Sequence, residues 1–275
     1  MTAFMTAPQY TSNLVEDPFA EYSFQTIDSG VNFAGKTYYS AKVKKILKMS
    51  KCVTNVISIS NSLKEIPINK QLSLENESLY YTAGVHPHDA KSVNTLADLE
   101  IIRWYLTDPK CVAVGECGLD YNRMFSPKEK QIKIFKQQIK IARETNKPLY
   151  LHCRDAFDDF YSILKSSNYH NGLIHCFTGN KHQAELFIEL GFSVGITGWL
   201  LDTRRNSDLY EAIKSIPIHS IVVETDAPWL SIKKGRTSHP LDTGAIVNEI
   251  AKIKQIDAIK LGHQIHANTK KLFNI

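Results

Sequence analysis

Four side chains able to bind a cation or move a proton lie far apart in this 275-residue chain but at equivalent places in its pattern. His152 closes an apolar run in "LYLHCRD" (149–155), and His175 does the same in "LIHCFTG" (173–179). Glu116 takes that place in "VAVGECGLD" (112–120), and Asp226 in "VVETDAPWL" (222–230). Neutral imidazoles and carboxylates are ligands for a divalent cation, from Zn²⁺ to Mn²⁺ or Mg²⁺. A buried pair of acids without a cation would cost on the order of several kcal/mol in repulsion and desolvation. A single histidine at a strand end is more often a hydrogen-bonded core residue, but four strand ends each offering a ligand favour a metal cluster.

The elements that must position these groups are short β-rich segments alternating with amphipathic ones. Strands are expected at 23–28, 53–60, 79–85, 111–116, 148–153, 172–177, 192–197 and 220–225. Between them run helical patterns, clearest at 126–146, where Ile132, Phe135, Ile139 and Ala142 form one apolar stripe. Ser126, Pro127 and Glu129 read there as cap, first-turn proline and capping-box acid. Pro67 interrupts the second crossover pattern, "NSLKEIPINKQLSLE". Eight strand–helix units predict an α/β fold closed as a (β/α)₈ TIM barrel; a doubly wound sheet is the alternative, but no GxGxxG follows the first strand. The ends of strands four, five, six and eight would then carry Glu116, His152, His175 and Asp226 to the C-terminal mouth, where such barrels place their chemistry. A cysteine follows three of these residues (Cys117, Cys153, Cys176), and strand alternation aims each cysteine outward, as packing under a helix.

Composition narrows the class. A hydrophobic content of 43% with 22% charged residues is that of a globular protein with a sizeable core. No apolar run reaches the roughly 20 residues of a membrane span, and no membrane partner is expected. The start of the chain lacks a basic then apolar leader pattern, so residues 1–23 read as an appended, poorly structured extension and 24–275 as the folded domain. Five cysteines without CxxC spacing argue for a reducing cytoplasm and against disulfide staples. A net charge of +5 mildly favours a polyanionic partner without marking a dedicated nucleic-acid binder.

Taken with "AGVHPHDA" (83–90), "GITGW" (195–199) and "NTKKLF" (268–273), these stretches resemble, in order over about residues 24–275, the TatD family of metal-dependent nucleases among the amidohydrolase-like barrels. The resemblance implies a cation-dependent phosphodiesterase acting on DNA, and on RNA in some members, with 3′→5′ exonuclease activity in the branch most similar to this chain. It implies Glu116, His152, His175 and Asp226 as metal ligands, with Mg²⁺ or Mn²⁺ in use and Zn²⁺ as another occupant. Asp226 would also act as general base, and His86 would hydrogen-bond the phosphate or protonate the leaving oxygen. Most members carry His-x-His after the first-strand aspartate. Here Gly30 and Asn32 stand at those positions behind a retained Asp28, so one firm metal site and a weaker second one are expected.

Arg123 and Arg154 follow ligands and would hold phosphate, unless they pair with Asp120 and Asp155. Tyr121 and Trp199 would stack on bases, or simply pack. His88 reads equally as a turn residue, His263 and His266 as surface or core, and the lysines of 231–239 as a solvated face able to touch a nucleic-acid backbone. A monomer is expected. The rival functions are an ester or amide hydrolase of the same barrel class, such as an aminoacyl-tRNA deacylase, and a nucleic-acid-binding protein without chemistry.

Overall fold

A computed structural model describes residues 22–35, 40–49, 52–232 and 235–275. All but the last two residues of the 1–23 segment, and the pair Lys233–Lys234, lie outside them. Eight parallel strands form one sheet in chain order: β1 (Thr26–Val31), β2 (Val53–Ser58), β3 (Leu79–Ala83), β4 (Cys111–Asp120), β5 (Leu149–Arg154), β6 (Gly172–Ile174), β7 (Ser193–Ile196) and β8 (Ile221–Val223). Just past β8 the chain returns to β1: Asp226 N donates to Gly30 O at 2.8 Å and Asn32 N to Ala227 O at 2.7 Å. That seam closes the sheet into the TIM barrel the alternating pattern called for.

Helices α1 (Ser40–Met49), α2 (Ile66–Glu75), α3 (Glu100–Tyr105), α4 (Lys128–Thr145), α5 (Phe157–Ser166), α6 (Lys181–Glu189), α7 (Ser207–Ser215), α8 (Asp242–Lys254) and α9 (Ala258–Phe273) surround it. Pro67 stands in the first turn of α2, where its missing N–H costs nothing, so it opens the second crossover helix instead of breaking it. The largest apolar cluster lies between helices and sheet, with Phe135, Phe160 and Phe187 at its aromatic centre. A smaller one fills the barrel: Ile57, Ile59, Val112, Tyr150, Leu173 and Val222, with Phe273 from the end of α9 packed among them.

Three local expectations are corrected. The first strand is shifted three residues along the chain, to Thr26–Val31, because "DSGV" continues as extended backbone into the seam. The fourth runs on to Asp120, since Cys117, Gly118, Leu119 and Asp120 pair with Leu151 to Arg154 of β5. Gly118 there has φ +144°, and a Cβ would stand 1.9 Å from His152 O, so this glycine permits close strand contact and does not end the strand. Ser126 does not cap α4. Its hydroxyl accepts from Lys91 N (2.9 Å) and donates to His88 O (2.8 Å), tying the turn before α4 to the loop after β3.

Candidate active site at the barrel mouth

Alternation along β5 turns His152 inward beside Tyr150, Glu116 reaches the same end at the register shift of β4 between Val114 and Cys117, and β6 and β8 end just before His175 and Asp226. His152 Nδ1 donates to Glu116 Oε1 at 2.8 Å. The same oxygen lies 3.6 Å from His86 Nε2 and 3.9 Å from His175 Nε2, which in turn is 3.9 Å from Asp226 Oδ1. All four expected ligands therefore meet, and His86 joins them. His86 Nδ1 accepts from His88 N at 3.1 Å, which leaves the ring proton on Nε2, facing Glu116.

A layer of acids behind the imidazoles fixes their orientation. Asp120 accepts from His88 Nε2 at 2.7 Å and His152 Nε2 at 3.3 Å, so His152 lies between two carboxylates. Glu224, fully buried, accepts from Tyr150 Oη at 2.6 Å, His175 Nδ1 at 2.9 Å and Cys176 N. Room for it comes from two strand glycines: a Cβ on Gly30 would lie 2.2 Å from Tyr150 Oη, and one on Gly195 2.2 Å from Glu224 Oε1. Asn32 donates to Asp226 Oδ1 at 2.8 Å and accepts from Asn61 Nδ2 at 3.0 Å. Asp28 turns away from the cluster and accepts from Thr225 N at 2.9 Å and from its hydroxyl, holding the backbone that presents Asp226.

The electrostatics follow from burial and these partners. Burial would raise the Glu116 carboxyl, but His175, His86 and His152 hold it well below the usual carboxylate range. Burial would lower His175, yet Glu224 and Glu116 overcome it and lift the ring to about 10. His152 is likewise raised against burial by its bonds to Asp120 and Glu116. Desolvation pushes Asp226 up to about 6, partly offset by His175, and pushes His86 down to about 3. A cluster of buried carboxylates compensated only by imidazole protons has the charge balance that a divalent cation completes. The spacing fits as well: two ligands each about 2.1 Å from one ion stand roughly 3–4 Å apart, as do these donors at 3.6–3.9 Å. His86, Glu116 and His152 form one candidate ligand group, and His175, Cys176 and Asp226 another.

That last cysteine departs from expectation. Cys117 is buried in the outer core and Cys153 packs against it. Strand β6, however, has ended by Ile174, so alternation no longer governs Cys176; with φ +45° its sulfur sits beside His175 and Asp226, 3.5 Å from Thr197 Oγ1.

Arg123 and Arg154 are exposed, and neither expected pairing forms: Asp120 accepts from the Arg123 backbone N–H (2.8 Å), and Asp155 accepts from Asn122 Nδ2 (2.7 Å). Tyr121 donates to Asp159 at 2.8 Å with the Lys128 ammonium over its ring, and Trp199 carries the Arg205 guanidinium at 3.6 Å. Both aromatics are half-buried and covered on one face. The exposed aromatics at the mouth are instead Phe125, edge-on to His88 at 4.8 Å, and Trp229. His266 lies beside Thr54 Oγ1 (3.0 Å), on α9 and away from the cluster.

Sequence reasoning missed Glu224, Tyr150 and Asp120 as site residues, and weighed His88 equally as a turn residue. Glu224 ends an apolar run as Glu116 does, and Tyr150 shares a strand face with His152, so both signals were present. Asp120 became visible as a site residue only once β4 was seen to extend that far.

The profile of the family described as "TatD related DNase" matches residues 27–274. A protein of Shigella flexneri serotype 5b (strain 8401) named 3′-5′ ssDNA/RNA exonuclease TatD is 34% identical over 257 residues, 90% of this chain and 98% of the relative. The protein of that name from Escherichia coli (strain K12) is 35% identical over 231 residues, 81% of this chain and 88% of the relative. Among solved structures, a TatD homologue from Escherichia coli K12 superposes with a TM-score of 0.84 at 26% identity, covering 91% of this chain and 98% of that one. A TatD-family hydrolase from Entamoeba histolytica shares the fold at a TM-score of 0.83 and 22% identity, with the same coverage.

Proposed function

The chain belongs to the TatD-related DNase family, and from that premise we propose that it is a divalent-cation-dependent exonuclease removing nucleotides from the 3′ end of single-stranded DNA and RNA. The observation that carries this reading is the meeting of Glu116, His152, His175 and Asp226 at one end of the barrel, linked in sequence by donor distances of 2.8–3.9 Å.

Those four residues would hold the cation, with Mg²⁺ or Mn²⁺ in use because the substrate contributes hard phosphate oxygens, and Zn²⁺ able to bind the imidazoles. When bound, the cation polarises a phosphoryl oxygen and lowers the pKa of water beside it. The protein does the rest. Asp226, kept in place by Asn32 and raised to about 6, accepts the proton of the attacking water. His86, neutral with its proton on Nε2, donates to a phosphate oxygen or to the leaving 3′ oxygen. Exposed Arg123 and Arg154 offer guanidinium forks to the phosphates that follow. The protein acts as a monomer in the cytoplasm, a setting in keeping with its five free cysteines.

The test is product length against time for one end-labelled single strand, with each cation in turn. A ladder shortening from the 3′ end is expected. Glu116→Ala should abolish cation-dependent nucleotide release with the circular-dichroism spectrum unchanged; full activity in that variant would refute the assignment.

A further inference from the structure

We propose that the rim between the β7 and β8 loops is a nucleotide subsite, seating one unpaired base on the Trp229 indole and one backbone phosphate at Arg204 and Arg205. This rests on the nuclease reading above and adds the path by which the strand leaves the candidate cation site.

Trp229 follows Asp226 by one turn: its N–H donates to Asp226 O at 2.9 Å, so the turn that places the candidate base also places the indole. Trp229 is 64% exposed, a large apolar surface beside a charged cleft. A cavity of about 340 Å³ begins at the residue after Trp229, lined by Leu201, Leu230 and Ile232 and by Asp202, Arg204 and Arg205. Its two loops press together at Gly198, where a Cβ would lie 2.4 Å from Leu230 O.

Both guanidiniums are held in advance. Asp202 accepts from Arg204 Nε and Nη2, each at 2.7 Å, and lies 2.8 Å from Arg205 Nε. Arg205 also stacks on Trp199, whose Nε1 donates to Arg205 O at 3.1 Å. Two arginines and one aspartate leave a single positive charge, the complement of one phosphodiester. The Arg204 side chain, 84% exposed, keeps further N–H groups for that phosphate. An indole face accepts any base but requires that base to be free of a partner, so the subsite selects single strands without selecting sequence.

The experiment is an anisotropy titration of the cation-loaded protein with fully phosphorothioate oligothymidylates, which resist hydrolysis. Trp229→Ala is expected to weaken binding about 10-fold and Trp229→Phe to keep most of the affinity. Arg204→Ala should lower the slope of log Kd against log salt by about 0.7, one phosphate contact on a single strand. Wild-type affinity in Trp229→Ala, or an unaltered salt slope in Arg204→Ala, would overturn the subsite while leaving the nuclease reading intact. A wild-type protein that neither binds these strands nor shortens unmodified ones would remove the nuclease reading and the subsite together.

Discussion

At the scale of the residue, Glu224 is the group whose chemistry can least be exchanged. Three donors converge on it, from Tyr150, His175 and the Cys176 backbone, and only a carboxylate accepts from all three. Glu224→Gln puts an amide N–H against a donor and frees the His175 ring to turn. Cation affinity, read by calorimetric titration, is expected to fall about 10- to 100-fold. Protons compete with the cation in a definite direction. His175, lifted to about 10, carries a proton at pH 7 that an ion must displace, and Asp226 adds a second below about 6. Affinity should therefore rise with pH from 6 to 8 and fall more steeply below 6. Titration in two buffers of different ionisation enthalpy should show at least one proton released per ion at pH 7.

Elements place these residues through main-chain clamps more than through apolar packing. Two buried glutamines of α4 reach the ends of neighbouring strands. Gln138 accepts from Val85 N at 2.8 Å and donates to Val85 O at 3.0 Å, immediately before His86. Gln131 does the same for Asp120, at 2.9 Å and 3.0 Å. Asn69 of α2 plays this part after β2, donating to Ile59 O at 2.9 Å. Gln138→Leu leaves both Val85 groups unpaired in the core and should cost roughly 2–4 kcal/mol, measured by urea unfolding, with cleavage reduced because His86 loses its anchor. These clamps also mark where the sequence stopped being legible. Periodicity located eight strands and the α4 stripe through Phe135, Ile139 and Ala142, because burial writes itself into apolar spacing. Gln131 and Gln138 lie on that same buried face, and no spacing rule separates a glutamine that bonds backbone from one that faces solvent. The four candidate ligands were legible because each interrupts an apolar run. Glu224 was overshadowed by Asp226 in the same motif, and Asp120 lay past the expected end of the fourth strand at 116.

For the whole molecule, the candidate ligands come from β4, β5 and the segments after β6 and β8, so an ion held by them would bridge much of the barrel circumference. An ion that binds only the folded chain stabilises it by about 2.7 kcal/mol at one hundred times its Kd. The melting temperature should then rise by roughly 5 °C with Mn²⁺ and return on adding a chelator; no shift would mean that the cluster does not hold the ion. The seam sets an order of events as well. Asp226 is held by Gly30 and Asn32, so it is in place only when a stretch near the end of the chain has met one near its start. A chain still emerging from the ribosome possesses Glu116, His152 and His175 but lacks Asp226, the proposed proton acceptor. On the proposed mechanism, hydrolytic competence would arrive last in synthesis.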